Sequence, residues 1–96
     1  MATKLPIKTR ILEWCIENDR PVTSLEVTNS LANEYPGERT AEHKNVEKQM
    51  DLFCKLGFMQ PTDIKEQDGE PEVIYQMTEA GRRAVKYIPG HGNKLF

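Results

Sequence analysis

The sequence is poor in the residue types that build metal sites and disulfide frameworks. Its 96 residues include two cysteines and two histidines, with none of the CxxC or Cys/His spacings that hold a metal. Cys15 and Cys54 each fall within an apolar helical pattern, which predicts two free, buried thiols in a reducing compartment. We therefore expect no disulfide, no metal and no cofactor.

Long hydrophobic runs and catalytic signatures are missing as well. No segment approaches the roughly 20 apolar residues of a membrane-spanning helix, and the N-terminus lacks the pattern of a secretory signal. There is neither a nucleophile elbow nor a phosphate-binding glycine loop. These absences predict a cytoplasmic protein that does not contact a membrane and is not an enzyme.

Charge is unevenly distributed along the chain. The formal net charge is −2, which is low for a protein that binds the phosphates of nucleic acid. However, residues 39–60 contain four basic and three acidic side chains, whereas residues 61–76 contain one basic and five acidic. A basic face near the middle of the chain is therefore compatible with the overall charge.

Three amphipathic helices are expected in the first sixty residues. The first begins at Pro6 and stops at Asn18–Asp19, with its apolar residues along one side. The T-x-x-E motif from Thr23 to Glu26 is a capping box, which predicts a second helix running to Tyr35. The third is predicted from near Thr40 to Leu56, with Lys44, Lys48, Asp51 and Lys55 on its polar side.

The pattern then changes to strands. Residues 58–59 and 73–77 are rich in strand formers, and residues 67–70 form a turn between them, so a β-hairpin is predicted. Pro61 and Pro71 predict irregular or edge pairing in its strands. Thr78 is expected to cap a short last helix, after which residues 89–96 are expected to form a flexible tail.

Two segments resemble winged helix-turn-helix transcriptional regulators of the MarR, PadR and ArsR types. The run NVEKQMDLFCKLGFM, residues 45–59, is similar to their recognition helix and the strand that follows it. The run YQMTEAGRR, residues 75–83, is similar to the tyrosine-x-leucine-threonine-x-x-glycine-arginine signature that closes their wing. The resemblance implies an α+β winged helix over residues 1–88, with a three-helix bundle, a hairpin wing and a short helix.

The resemblance also implies a function. In such regulators the recognition helix, here residues 40–56, enters the major groove of double-stranded DNA, and the protein is commonly a homodimer. Trp14, at the edge of the first helix's apolar side, is a candidate dimer contact, although it can equally complete the core. The candidate DNA-binding residues are Arg39, Thr40, His43, Lys44, Asn45 and Lys48.

A different function stays open beside DNA binding. The lysines of the third helix alternate with Glu47 and Asp51, as on an ordinary solvated helix face. Glu47 and the acidic hairpin would both repel phosphate, whereas the wings of such regulators normally contact the DNA backbone. The alternative is a winged-helix module that binds another protein and has little affinity for DNA.

Overall fold

The computed structural model describes residues 5–88, so the predicted tail over residues 89–96 lies outside the described part. The expected α+β class is confirmed. Four helices are present in this part: α1 (Ile7–Asn18), α2 (Ser24–Leu31), α3 (His43–Lys55) and α4 (Glu79–Arg83). Three strands are present too: β1 (Val22–Thr23), β2 (Met59–Gln67) and β3 (Glu70–Met77). Two 3₁₀ turns, Arg39–Ala41 and Ala84–Tyr87, precede α3 and follow α4.

The predicted hairpin is formed by β2 and β3. Its two turn residues, Asp68 and Gly69, both have positive φ angles, of 54° and 81°. This conformation matches the right-handed twist of paired strands, and Asp-Gly is a favoured sequence for it. The pairing register shifts between Pro61 and Asp63, which confirms the irregularity that proline predicts in a strand.

The sheet has a third strand that the sequence did not predict. β1 pairs antiparallel with β3, with Val22 opposite Tyr75 and Thr23 opposite Ile74, so the strand order is β1-β3-β2. A two-residue strand is too short to show an alternating pattern. Its pairing joins the start of α2 to the middle strand of the sheet.

Two predicted helix boundaries were wrong. α2 ends at Leu31 and does not continue to Tyr35, because the chain turns there and buries Tyr35, whose hydroxyl donates a hydrogen bond to the Leu5 carbonyl. α3 begins at His43 and not at Thr40. The extended backbone of Glu42 (φ −73°, ψ 152°) separates α3 from the preceding 3₁₀ turn.

Threonine caps begin two helices, as predicted. The Thr23 side chain accepts a hydrogen bond from the Glu26 amide at 3.2 Å, and the Thr78 side chain accepts one from the Gly81 amide at 3.1 Å. The second half of the expected capping box is absent, because the Glu26 carboxylate pairs with Arg20. Each cap satisfies an amide that has no partner within its own helix.

One core is shared by the helices and the sheet. Ile11 and Cys15 of α1 lie in it with Val27 of α2, Met50 of α3 and Tyr75 of β3, and all five are at most 2% exposed. The predicted burial of Cys15 is confirmed, whereas Cys54 is only half-buried. Burial raises the pKa of the Cys15 thiol to about 12 and also raises the pKa of Cys54.

Cys15 is therefore expected to resist alkylation in the folded protein. At pH 8 its thiol is uncharged and inaccessible, and only the thiolate is a good nucleophile. Iodoacetamide should modify Cys15 more than about 100-fold more slowly in buffer than in denaturant, as measured by mass spectrometry of timed samples. Cys54 serves as the internal reference and should react first. Equal rates for both thiols in the folded protein would contradict the packing of α1.

Candidate nucleic-acid interface

The polar side of α3 faces solvent. Val46, Met50 and Phe53 are buried, and successive residues of a helix are rotated by about 100°. Lys44, Lys48 and Lys55 therefore project from the opposite side, where all three are exposed. The predicted lysine face of the third helix is confirmed as an exposed surface.

No ion pair within the described residues neutralises the positive charges of this face. Within residues 5–88, Lys44, Lys48, Lys55 and Arg39 form no ion pair. The arginines that do form ion pairs lie outside α3, and nearby carboxylates neutralise their charges. These pairs are Arg10 with Glu13, Glu17 and Glu34, Arg20 with Glu26, Arg82 with Asp19, and Arg83 with Glu79.

Three of the predicted residues lie around the start of α3: Arg39 and Thr40 in the 3₁₀ turn, and Asn45 in the first turn of the helix. Arg39 and Thr40 are exposed, and the Thr40 hydroxyl donates a hydrogen bond to Glu38 at 3.4 Å. The Asn45 side-chain amide donates to the Arg39 carbonyl at 2.8 Å. Asn45 thus holds the turn against α3 and fixes the position of Arg39 beside the lysine face.

His43 differs from the other predicted residues because it belongs to a partly buried polar cluster. Its Nε2 atom lies 2.9 Å from Ser24 Oγ and 3.3 Å from Glu72 Oε1. The Ser24 hydroxyl also donates to Glu72 Oε1 at 3.4 Å. Ser24 and Glu72 are 1% and 5% exposed. The cluster joins the first residues of α2 and α3 to the hairpin.

The direction of the hydrogen bond between Ser24 and His43 follows from which ring nitrogen carries the hydrogen, because Nε2 donates in one tautomer and accepts in the other. In a catalytic serine relay, the carboxylate and the serine contact opposite nitrogens of the imidazole. Here Ser24 and Glu72 both contact Nε2, so the cluster lacks the arrangement that activates a serine. Its geometry fits a structural link between elements.

Glu72 itself corrects an expectation about the hairpin. The sequence predicted an acidic hairpin that would repel phosphate, and Glu72 is one of its five acidic residues, but its carboxylate is buried against His43 and Ser24. The expectation failed because the partners lie 29 and 48 positions away along the chain. Asp63, Glu66, Asp68 and Glu70 are exposed, as expected for a hairpin with an acidic tip.

Glu47 and Asp51 lie at the edge of the lysine face that is nearer the sheet. The Tyr75 hydroxyl donates a hydrogen bond to Asp51 at 2.8 Å. Burial, followed by this hydrogen bond, raises the pKa of Tyr75, and the charge of Glu47 adds a smaller contribution. Asp51 nevertheless stays exposed among the lysines, as its position in the sequence predicts, whereas Glu47 is partly buried.

The opposite side of α3 lines a groove with α1, and this groove contains a basic residue that the sequence analysis missed. Lys8 and Lys48 both line it, together with Thr40 and Asn45. Nothing in the sequence marks Lys8, because only the packing of α1 on α3 brings it to this face. Trp14 lies elsewhere on α1, half-buried against the core, with the Arg20 guanidinium 5.9 Å from its ring centroid.

No group of three or more histidine, cysteine, aspartate or glutamate side chains within residues 5–88 is placed to bind a metal. No helix of that part has the length and apolar character needed to span a bilayer. A scan against protein-family models gave no match, and a search of curated proteins gave none either.

Proposed function

We propose that the protein is a DNA-binding transcriptional regulator with a winged-helix fold, and that α3 enters the major groove. The observation that carries the proposal is the exposed lysine face of α3, whose charges have no partner among residues 5–88. Lysine side chains bind phosphate oxygens or guanine edges. At 13 residues, α3 has about 20 Å of axis to lie along the groove.

The surroundings of α3 support this orientation. α2 packs across its inner side, as the bracing helix of a helix-turn-helix does. Arg39 and Thr40 stand beside the N-terminal half of α3, the half that usually contacts bases and the nearest phosphates. Glu47 is partly buried and one oxygen of Asp51 accepts a hydrogen bond from Tyr75, so these two carboxylates oppose phosphate binding less than two fully solvated ones would.

The roles of the six predicted residues differ in this proposal. Arg39, Lys44 and Lys48 contact DNA directly, since they are exposed and unpaired within the described part. Thr40 and Asn45 shape the turn that presents Arg39. His43 orients α3 relative to the hairpin, and it contacts DNA only through Nδ1, which has no hydrogen-bond partner among residues 5–88.

The hairpin does not contact DNA in this proposal, because its exposed acidic residues repel phosphates. This same acidity favours the second candidate, a module that binds another protein. The two differ in one measurable property: only the first predicts saturable binding of duplex DNA that weakens as salt rises. In the first case we propose a cytoplasmic protein that forms homodimers.

The test is a titration of duplex DNA, random and from upstream regions, at several salt concentrations. Replacing both Lys44 and Lys48 by alanine should weaken binding about tenfold at low salt and flatten the salt slope by about 2, since each lost phosphate contact removes about 1. Arg83→Ala, an exposed cation of α4 outside the lysine face and the hairpin, is the matched control and should change neither. Absence of saturable binding at about 50 mM salt, or an unchanged slope in the double variant, would overturn the proposal.

A further inference from the structure

Two adjoining grooves form one apolar trough on the α1 side of α3. The first, of about 520 Å³, is lined by Ile7, Ile11 and Leu52, with Lys8 and Lys48 at its sides. The second, of about 300 Å³, continues from Leu52 to Leu56 and Tyr87 and shares Lys8 with the first. We call these two grooves together the α1–α3 trough.

The trough has the chemistry of a contact surface. Leu52, Leu56 and Tyr87 are 46%, 57% and 73% exposed, and clustered apolar exposure of this kind marks interaction sites. Within residues 5–88 no aspartate or glutamate lines either groove, although the chain contains 15 of them. The trough therefore suits a segment that combines an apolar side chain with negative charges.

The outer half of the β2–β3 hairpin, residues 63–70, is such a segment, and we call it the hairpin tip. Ile64 is 64% exposed, and the other exposed residues of the tip include four carboxylates, Asp63, Glu66, Asp68 and Glu70, against one cation, Lys65. Its own molecule cannot bring it to the trough. The sheet contacts α3 on the side of Asp51, through Tyr75, whereas the trough lies on the side of Asn45 and Gln49.

We propose that the hairpin tip of a second copy of the chain binds in the α1–α3 trough. Ile64 would lie against Leu52, and the acidic side chains around it would face Lys8 and Lys48. Reciprocal exchange of the two hairpins closes a two-fold dimer in which the same patches are used twice. A symmetric pairing of the two troughs would instead bring the lysines of both copies together, which like charges oppose.

This dimer would regulate the lysine face. It covers Lys48, so it competes with DNA for the same surface, and the acidic hairpin substitutes for phosphate. The competition rests on the proposed function, but the self-association does not, because it forms without DNA. A failure of the self-association can therefore be distinguished experimentally from a failure of DNA binding.

The self-association is tested by sedimentation velocity of the full chain without DNA. Dimer should form as concentration rises at about 50 mM salt and should weaken at about 500 mM, because screening reduces the charge contribution. Ile64→Lys and Leu52→Glu should each weaken it at least about tenfold. Gln60→Lys and Asn29→Glu introduce the same charges at exposed positions outside the tip and the trough, and these controls should dimerise like the wild type.

Mixing the two disrupted variants identifies the contact. The Ile64→Lys protein keeps an intact trough and the Leu52→Glu protein keeps an intact hairpin, so the mixture should form a heterodimer at concentrations where each variant alone is monomeric. A chain that stays monomeric throughout, or an Ile64→Lys variant that dimerises like the wild type, would overturn the proposal. Dimerisation as proposed, with no DNA binding by any variant, would leave it standing and remove only the proposed competition.

Discussion

Replacing Gly81 by alanine is expected to lower the free energy of unfolding by about 3 kcal/mol or more. A Cβ atom at this position would lie 2.1 Å from the Phe58 carbonyl oxygen and 2.4 Å from the Met77 side-chain methyl. The methyl can move, but the carbonyl cannot do so freely because it accepts a hydrogen bond from the Thr78 amide at 3.0 Å. Gly81 thus allows α4 to pack directly on the backbone that begins β2.

Urea unfolding followed by circular dichroism measures this effect. Gly57→Ala is the matched control: Gly57 has a φ of +86° but nothing within 4 Å of an added Cβ, so it reports backbone strain alone, about 1 kcal/mol. At an ordinary helical position, glycine to alanine stabilises by about 1 kcal/mol. A Gly81→Ala protein at least as stable as Gly57→Ala would show that α4 does not pack as closely as described.

Replacing His43 by alanine is expected to cost about 2 kcal/mol. The change removes the imidazole whose Nε2 lies 3.3 Å from Glu72 Oε1, and it leaves the buried carboxylate with the Ser24 hydroxyl, 3.4 Å away, as its side-chain hydrogen-bond donor within residues 5–88. Burying an under-satisfied charged group costs more than the hydrogen bond itself contributes. The loss should also loosen the hairpin relative to α3, since this cluster is one of their polar connections.

A double-mutant cycle separates this link from simple loss of packing. If His43 stabilises Glu72, then replacing Glu72 by methionine in the His43→Ala background should recover about 1 to 2 kcal/mol. His43→Gln, which keeps an amide donor on a longer side chain, should recover part of the loss alone. Additive effects of His43→Ala and Glu72→Met, measured by urea unfolding, would refute the link between the two side chains.

Several features could be predicted from the sequence because they depend on neighbouring residues. Thr23 and Thr78 cap helices through amides three positions away, and Asp68-Gly69 forms the hairpin turn by its own backbone preference. The exposed lysine face of α3 follows from the helical period. Each of these features depends on residues that are close together in the sequence, so it can be predicted without knowing the fold.

Other features depended on contacts that cross the chain. β1 exists because Val22 and Thr23 pair with residues more than 50 positions later, and the start of α3 depends on how the turn before it packs. The burial of Glu72 and the neutralisation of Arg82 by Asp19 similarly require partners that no local pattern identifies. These long-range contacts decide which charged side chains form pairs within the structure and which remain exposed to solvent.

The amphipathic helices, their caps and the hairpin can be predicted from the chain alone, because backbone preference and hydrophobic period act over a few residues. Which charges remain available for a partner depends on how these elements pack. The packing pairs Arg82 with Asp19, brings His43 to Glu72 and places Lys8 across a groove from Lys48. Electrostatic interactions depend on distance in space, and that distance is set when the elements pack.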